Sequence, residues 1–340
     1  MEHRIRYKGH SVPADLTHFW VITVISNPYR YERRYELYFR FARMCKDAGV
    51  NLITVEQAFG DREYMVTDPT NPNHLQVRSH EILWLKENMI DLGIAQAKRL
   101  DSKVNKVMWC DADCRPAAMP HEWFAEIWHY LEIYQFVQCW EFLINLDRRH
   151  NAATMPQESF MSSYVKAGCP SPDEFAQIKF DEKDYPYGSS KFGRPGLCWA
   201  ANVDALNSVG GLIDFAVLGA GDFYMGHSLI GSLKAISSEY KKLSPYWEKL
   251  YDWQEKCTRW IKRDVGFVPG TLLHDNHGDK INRKYGTRGQ ILYKNGYDPN
   301  KDIKYDSSGL LQLETWEDRQ IKMLDQIREY FSERNENDIY

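Results

Sequence analysis

The sequence predicts an α/β protein in which helices flank a Rossmann-like sheet. Over the first 140 residues, apolar runs of strand length alternate with segments of helical periodicity, which is typical of nucleotide-binding α/β folds. Several runs stop at polar or acidic residues, where such sheets bind their ligands. With 340 residues and 43% hydrophobic content, the chain is long enough for one large domain with a long insertion and a C-terminal helix.

The first 56 residues are predicted to form a β-α-β unit. Phe19–Ile25 is a continuous apolar, β-branched run, as expected for a strand buried on both faces of a parallel sheet. It stops at the turn signal Ser26–Tyr29 and is followed by an amphipathic helix, Arg30–Lys46. The second strand, Val50–Val55, ends at Glu56.

Two further strands and two helices are expected before residue 141. A polar loop is predicted over 60–78, followed by a helix at Glu81–Lys98. The next strand is Val104–Cys110, then a helix at Trp123–Leu131 and a strand at Phe136–Trp140. These repeated β-α steps predict a nucleotide-binding half.

The remaining sequence divides into three predicted segments after the α/β half at 1–146. Residues 147–194 are polar and rich in proline, which predicts a loop-rich insertion or lid. Order returns over 195–300, with helices at 203–209, 223–233 and 245–262 and a strand that ends in a histidine pair. Residues 301–340 are predicted to hold a C-terminal helix, Thr315–Phe331, and a charged tail.

Bulk composition excludes several classes of protein. The net charge of −4 argues against a general nucleic-acid binder, although a local basic groove stays possible. Seven cysteines at scattered spacings indicate a reducing compartment. No apolar window has the length of a signal peptide core or a membrane span. We therefore expect a cytoplasmic protein that does not enter a membrane.

Two carboxylates, Asp111 and Asp113, directly follow the strand Val104–Cys110. Residues two apart along a strand point to the same side, so the carboxylates would repel each other without a cation between them. Mg²⁺ and Mn²⁺ prefer oxygen ligands and often retain substrate phosphates. The pattern therefore predicts a metal–diphosphate site, and a solvated turn after the strand is the alternative.

Further polar residues stand at other predicted strand ends. His274 and His277 offer an imidazole ligand, although a histidine there is more often a structural hydrogen-bonding group. Asp222 follows a flexible Gly-Ala-Gly segment and suits a general base; alternatively it caps the next helix. Glu56 is a candidate to bind a ribose hydroxyl.

In this order, these pieces resemble the metal-dependent glycosyltransferases of the GT-A fold. Residues 107–116 resemble the Asp-x-Asp strand of that family, and 193–222 resemble the segment that carries acceptor contacts and the catalytic base in galactosyltransferase-like members. Residues 86–93 resemble the helix whose basic residue contacts the donor. The pattern 277–285, with Arg283 and Tyr285, is also similar to predicted glycosyltransferases of bacteriophages and bacteria.

The resemblance, which covers roughly residues 18–295, implies a mixed sheet and transfer of a sugar from a nucleoside-diphosphate sugar, UDP-linked in the first instance. It implies that Mn²⁺ or Mg²⁺ is held by Asp111, Asp113 and either His277 or His274, and that Asp222 is the base of an inverting reaction. The implied donor-binding residues are Ser26, Asn27, Arg30, Glu56, Lys86, Asp111 and Ala112. The implied acceptor-binding residues are Trp199, Asp222, Lys280 and Arg283.

The chain departs from the family pattern at two positions. Asp91 stands where an asparagine is expected, and the acidic cluster after Gly221 is reduced to Asp222 alone. The second departure weakens the assignment of the base. It also leaves open whether the reaction inverts or retains the anomeric configuration, because a retaining enzyme needs no base there.

Two acceptor classes and two other functions stay open. The acceptor is either a saccharide or glycoconjugate, or a hydroxymethylated pyrimidine in phage DNA within an infected bacterial cell. The basic stretches 280–288 and 148–149 favour DNA, and the negative net charge opposes it. A sugar nucleotidyltransferase would be expected to have a glycine-rich loop after the first strand, which Ser26–Tyr29 lacks. A non-catalytic relative that binds a nucleotide or carbohydrate would be expected to have lost the carboxylates or the histidines.

Overall fold

The computed structural model of the protein describes residues 13–177, 193–236 and 244–337. The sequence predictions for the N-terminus, for the middle of the 147–194 insertion and for the last three residues lie outside these ranges. Among the described residues, every helix is too short or too polar to pass through a membrane.

Strands and helices alternate through most of the described chain. The strands are β1 Phe19–Ser26, β2 Asn51–Phe59, β3 His74–Ser79, β4 Lys106–Cys110, β5 Cys114–Pro116, β6 Phe136–Gln138, β7 Phe142–Asn145, β8 Gln157–Glu158, β9 Cys198–Asn202, β10 Val265–Phe267, β11 Thr271–His274, β12 Ile303–Tyr305 and β13 Leu311–Leu313. The helices are α1 Glu32–Asp47, α2 Lys86–Leu100, α3 Pro120–Tyr130, α4 Phe160–Lys166, α5 Pro172–Gln177, α6 Val203–Val209, α7 Gly221–Leu229, α8 Ser244–Lys256, α9 Gln290–Lys294 and α10 Asp318–Glu333. A π-helical turn, Cys257–Ile261, extends α8.

A seven-stranded sheet forms the centre of the fold, in the order β10-β6-β9-β4-β1-β2-β3. Strand β9 runs antiparallel to both of its neighbours, while the other pairs are parallel. The predicted fold class, an α/β protein with a mixed sheet flanked by helices, is therefore confirmed. Because β9 and β10 come from the second half of the sequence, both predicted halves contribute to one sheet.

Alternation along the strands places the core on both faces of this sheet. In β1, Trp20 and Ile22 face one apolar cluster, together with Met89 of α2. Phe19 and Val21 face the other cluster. Successive strand residues point to opposite faces, so a strand with this pattern must be apolar throughout. This is why the sequence run over β1 was recognisable.

A second, four-stranded sheet in the order β5-β11-β7-β8 lies beyond the carboxyl end of β4. Strand β11 pairs parallel to β7 and antiparallel to β5, with Cys114 opposite His274. Within the segment predicted to be loop-rich, the chain forms β8, α4 and α5, and the Ser159 hydroxyl caps α4 by accepting from the Ser162 amide. This sheet carries the histidine pair to the site.

Several predicted boundaries differ from the structure by two to five residues, and the region between residues 60 and 86 was predicted least well. The polar loop predicted over 60–78 contains β3, which escapes recognition because it is an edge strand with only Val77 and Ser79 buried. The helix predicted from Glu81 begins at Lys86. The intervening residues are held by a bridge between Trp84 and Leu218, a tertiary contact that local periodicity does not reveal.

Candidate metal centre

A cavity of about 470 Å³ opens at the carboxyl edge of the parallel strands. Strands β1 and β4 end there, and β9 begins there because it runs the opposite way. The cavity therefore lies where α/β sheets bind their ligands. The predicted site residues that line it are Ser26, Lys86, Asp111, Ala112, Asp113, Asp222, His274, His277 and Arg283.

Asp113, His274 and His277 meet at one end of the cavity, with one ligand atom from each within 4.8 Å of the others. Asp113 Oδ2 lies 2.5 Å from His277 Nε2 and 3.5 Å from His274 Nε2. The strand register explains the meeting, because Cys114 of β5 pairs with His274 of β11. The amide of Asp275 also donates to the Asp113 carbonyl at 2.8 Å.

Each histidine has a hydrogen-bond partner at Nδ1. His274 Nδ1 lies 3.0 Å from Asn145 Oδ1, and His277 Nδ1 lies 3.2 Å from Glu336 Oε2. Because both partners are acceptors, each imidazole donates from Nδ1 and keeps the lone pair of Nε2 for the cavity. His274 Nε2 is buried and has no hydrogen-bond partner. The Nε2 atoms of both histidines and the Oδ2 atom of Asp113 therefore converge as three ligand atoms that could hold a divalent metal ion.

The electrostatics of this cluster favour the protonation states that a metal needs. Burial lowers the pKa of His274 to about 4, although Asp113 opposes the change. Burial alone would raise the pKa of Asp113, but His277 and His274 outweigh it and hold the pKa well below its usual range. A neutral imidazole and an ionised carboxylate are the forms that bind metal.

Arg283 was predicted to bind the acceptor, and the structure places it beside the histidine cluster. Its Nη2 lies 2.7 Å from His277 Nε2. This is the nitrogen of His277 that faces Asp113. Arg283 supplies positive charge at the position where two lone-pair atoms meet.

The carboxylate that orients His277 comes from the C-terminal tail. Glu336 is 2% exposed and pairs with Arg34 of α1 and with Arg334, the latter at 2.7 Å between Nη2 and Oε1. Burial alone would raise the pKa of Glu336, but Arg34 and Arg334 hold it well below its usual range. Glu336 is thus an ionised carboxylate fixed between two guanidiniums.

Gly278 makes room for this tail immediately after His277. Its φ is +86°, and a Cβ there would lie 2.9 Å from the Glu336 Cα and 3.1 Å from the Asn335 carbonyl oxygen. A side chain would be strained by the backbone conformation and would also displace the tail. The close approach of residues 334–336 to the metal cluster therefore requires glycine at position 278.

Lys86 and Asp111 form an ion pair next to the metal cluster. Lys86 Nζ lies 2.5 Å from Asp111 Oδ1. Burial alone would lower the pKa of Lys86, but Asp111 and Asp222 raise it above its ordinary value. The Asp111 carboxylate is thus engaged by an ammonium, while the cluster of close ligand atoms contains Asp113 and the two histidines.

Asp222 lies in the first turn of α7 and lines the cavity. Its Oδ1 accepts from the Phe223 amide at 2.8 Å, as an acidic residue at a helix start does. A Cβ on Gly196 would lie 2.5 Å from Asp222 Oδ2, so the other carboxylate oxygen faces the glycine before β9. The N-cap of α7 is Ala220, and no side chain caps this helix. The alternative in which Asp222 caps the helix is therefore wrong, and Asp222 lies within the first turn.

Four predicted site residues lie outside the lining of the cavity. Asn27 bonds the backbone of Tyr31 through both side-chain atoms, and Arg30 Nη2 donates to the Glu63 carbonyl at 3.5 Å. The Glu56 carboxylate accepts from the amides of 65–67 and so holds that turn. Trp199 is 1% exposed within β9. The side chain of Lys280 lies outside the described residues.

Several residues of the site were not predicted from the sequence. Asn145, Arg194, Arg288 and Arg334 line the cavity, and Glu336 lies behind His277. Asn145 belongs to the short strand β7, and Arg194 borders the polar stretch without periodicity. Arg288 fell in a basic run that also suited a solvated surface. Arg334 and Glu336 belong to a charged tail in which no motif or periodicity distinguishes them from the neighbouring charged residues. Only a contact across some 60 residues connects Glu336 with His277.

Comparisons with known proteins add little to this geometry. Neither the protein-family profiles nor the curated protein sequences gave a match. A similar solved structure is the catalytic domain of Drosophila beta1,4-galactosyltransferase 7 in complex with xylobiose, at 10% sequence identity and a TM-score of 0.37. The similarity covers 91% of this chain and 98% of that one. A TM-score this low carries no argument, so the site residues have to carry the functional conclusion.

Proposed function

We propose that this chain is a metal-dependent glycosyltransferase of the GT-A type that uses a nucleoside-diphosphate sugar, with UDP as the first candidate nucleotide. One observation carries the proposal. Asp113, His274 and His277 present convergent ligand atoms in a large cavity at the carboxyl edge of the sheet. The Asp-x-Asp strand and the histidine pair are far apart in sequence and meet there.

The donor side of the proposal uses the residues around β1 and β4. Ser26 and Ala112 line the cavity, and Lys86 offers a cation next to Asp111. Lys86 would contact the diphosphate while Asp111 keeps its ammonium in place. We retain Asn27, Arg30 and Glu56 as donor-binding candidates through the turns that they hold, although none of them lines the cavity.

A bound divalent ion would neutralise charge that develops on the nucleoside-diphosphate leaving group. Asp113 and His277, with His274 as a further ligand, would hold it, and we keep Asp111 as an assisting carboxylate. Two imidazole nitrogens and one carboxylate favour Mn²⁺ over Mg²⁺, because Mg²⁺ prefers oxygen ligands almost exclusively.

Asp222 is proposed as the base that takes the proton of an acceptor hydroxyl, which makes the reaction an inverting one. Its Oδ1 is engaged by the helix amide, so Oδ2 would accept the proton. Trp199, Lys280 and Arg283 remain the acceptor-side candidates. Trp199 would act through its packing, since its indole donates to the Pro195 carbonyl at 2.6 Å.

A screen of nucleoside-diphosphate sugars for Mn²⁺-dependent hydrolysis tests the proposal. The donors that turn over are then offered hydroxymethylated DNA and simple saccharides as acceptors. Acceptor affinity that falls steeply with salt supports DNA, and salt-insensitive affinity supports a glycan. The Asp113→Asn variant, which removes a proposed metal ligand, should lose the Mn²⁺-dependent hydrolysis. Its matched control is Asp204→Asn, at an exposed position of α6. No turnover of any donor, or turnover that survives chelation, contradicts the proposal.

A further inference from the structure

Three arginines that line the cavity form no ion pair with a carboxylate among the residues that the structure describes. They are Arg194, Arg283 and Arg288. Arg194 Nε donates to the amide oxygen of Gln157 at 3.0 Å, and Arg288 Nη1 donates to the Tyr330 hydroxyl at 3.0 Å. These partners are neutral, so they satisfy hydrogen bonds without balancing the buried charge.

The other cations of the cavity are paired. Lys86 forms its ion pair with Asp111. Arg34 and Arg334 share the carboxylate of Glu336. The unpaired arginines are therefore a separate group. A guanidinium that is partly or fully withdrawn from water and forms no ion pair is costly, which favours the binding of an anion from outside the chain.

Tyr285 lies at the centre of the unpaired group. Its hydroxyl accepts from Arg283 Nη1 at 3.1 Å, and the Arg288 guanidinium lies 4.9 Å from the centre of its ring. Burial alone would raise the pKa of this phenol, yet Arg283 and Arg288 lower it below its ordinary value. Positive potential is therefore concentrated around the Tyr285 side chain.

The surrounding backbone and rings hold Arg288 in place near Asp222. Its guanidinium carbon lies 5.7 Å from the centre of the Trp84 ring. A Cβ on Gly219, whose φ is +85°, would lie 2.8 Å from Arg288 Nη2. Gly219 precedes Asp222 by three residues. Arg288 thus packs against the segment that carries the proposed base, which assigns it to the acceptor side.

A nucleotide sugar would leave this charge unbalanced. The two charges of a divalent ion and the two of a diphosphate ester cancel each other, so donor binding gives the three arginines no counter-charge. An anion that balances their charge would then come from the second substrate. Arg288 above the Tyr285 ring and Arg283 at its hydroxyl offer donors in different planes, which suits a tetrahedral phosphate better than a planar carboxylate.

We propose that Arg283, Arg288 and the Tyr285 hydroxyl bind a phosphate group that the acceptor carries near its reacting hydroxyl. This inference rests on the proposed function, because that function defines the second substrate. Arg194 adds long-range positive charge to the same subsite. The phosphate belongs either to a terminal monoester or to a diester backbone, and both chemistries use the same donors.

Calorimetric titration of the 340-residue chain, saturated with Mn²⁺ and UDP, tests the subsite with inorganic phosphate as the probe. We expect saturable binding at least about tenfold tighter than that of acetate, and Arg288→Gln to weaken it by about tenfold or more. Arg328→Gln is the matched control, because Arg328 is exposed on α10 and pairs with Asp325 one turn away. If Arg288→Gln unfolds early, Arg288→Lys replaces it. Lysine keeps the positive charge but lacks the paired N–H donors of the guanidinium.

Methyl phosphate and dimethyl phosphate then separate the two sources. Tighter binding of the monoester supports a terminal phosphate, and equal binding supports a diester. Phosphate that binds no better than acetate, or an Arg288 variant that binds phosphate as well as the Arg328 control, overturns the inference. Absence of UDP binding in the first step counts against the proposed function, whereas the comparison of the two arginine variants still reports on the phosphate subsite.

Discussion

His277 and Glu336 are joined by a hydrogen bond of 3.2 Å between Nδ1 and Oε2, although 58 residues separate them in the chain. Because the carboxylate accepts the Nδ1 proton, Nε2 of His277 faces Asp113 as a lone pair. The last described turn of the chain thus fixes the tautomer of a proposed metal ligand. Carboxylates behind metal-bound histidines raise the basicity of the ligand and hold the ring in place.

Glu336→Gln is therefore expected to weaken Mn²⁺ binding by about 10- to 100-fold. The amide keeps an acceptor for Nδ1 but loses the negative charge, and it leaves Arg34 and Arg334 without their counter-charge. Titration of Mn²⁺, followed by the loss of its free-ion paramagnetic resonance signal, measures the affinity directly and does not depend on turnover.

Glu333→Gln is the control for this change, because Glu333 lies three residues earlier and pairs with Lys284 on the surface. Mn²⁺ affinity in the control should equal that of the wild type. Glu336→Asp should recover part of the loss, since the charge is retained. Equal Mn²⁺ affinity in Glu336→Gln and wild type would show that the carboxylate has no part in metal binding.

The two carboxylates of the Asp-x-Asp strand are expected to differ in their effect on the metal. Asp113→Asn should lower Mn²⁺ affinity by more than about 100-fold, because Asp113 belongs to the ligand cluster. Asp111→Asn should cost less than about tenfold in affinity, because Asp111 already neutralises Lys86. The same resonance titration compares the two variants. Equal losses of Mn²⁺ affinity would show that Asp111 is also a metal ligand.

Asp222→Asn should reduce the turnover of donor with acceptor by about 10²- to 10⁴-fold, the usual contribution of a general base. The amide oxygen still accepts from the Phe223 amide, so the start of α7 should be preserved and Mn²⁺ affinity should not change. Steady-state kinetics and the same metal titration measure the two effects. A loss of activity accompanied by early thermal unfolding would show instead that Asp222 stabilises the first turn of α7.

Asp91 makes protein stability depend on pH. Burial raises its pKa from 3.8 to about 8, although the Leu212 amide, which donates to both carboxylate oxygens, opposes the rise. Between these two pH values the folded protein binds more protons than the unfolded chain, so this group lowers stability as pH rises. At pH 7 the carboxyl is largely neutral, which brings it close to the asparagine that the family pattern has at this position.

Asp91→Asn should therefore raise the melting temperature by an amount that grows from pH 4 to pH 8 and then levels off. The amide keeps an acceptor for Leu212 and cannot ionise. Melting curves recorded at intervals of one pH unit measure the difference, with the exposed Asp204→Asn as the control. A difference that stays constant across this range would show that Asp91 is ionised throughout.

The fold was largely predictable where strands are buried on both faces. Such strands are mostly apolar, so β1, most of β4 and the first half of β2 appear as apolar runs. Edge strands and three-residue strands such as β3 and β5 carry no such signal, because pairing rather than burial defines them. The candidate metal ligands could be named from the sequence, since Asp113 and the two histidines stand at predicted strand ends.

The sequence by itself determined the α/β class, the Asp-x-Asp pair and the candidate histidines, because strand burial and ligand chemistry are local properties of the chain. Only the tertiary structure decided that both histidines face Asp113, because the pairing of β5 with β11 is a choice among distant segments. Only the tertiary structure also showed that Asp111 forms an ion pair with Lys86, that Glu336 hydrogen-bonds His277 and that Arg288 lines the cavity. These are contacts between residues far apart in sequence, and no periodicity or spacing encodes them.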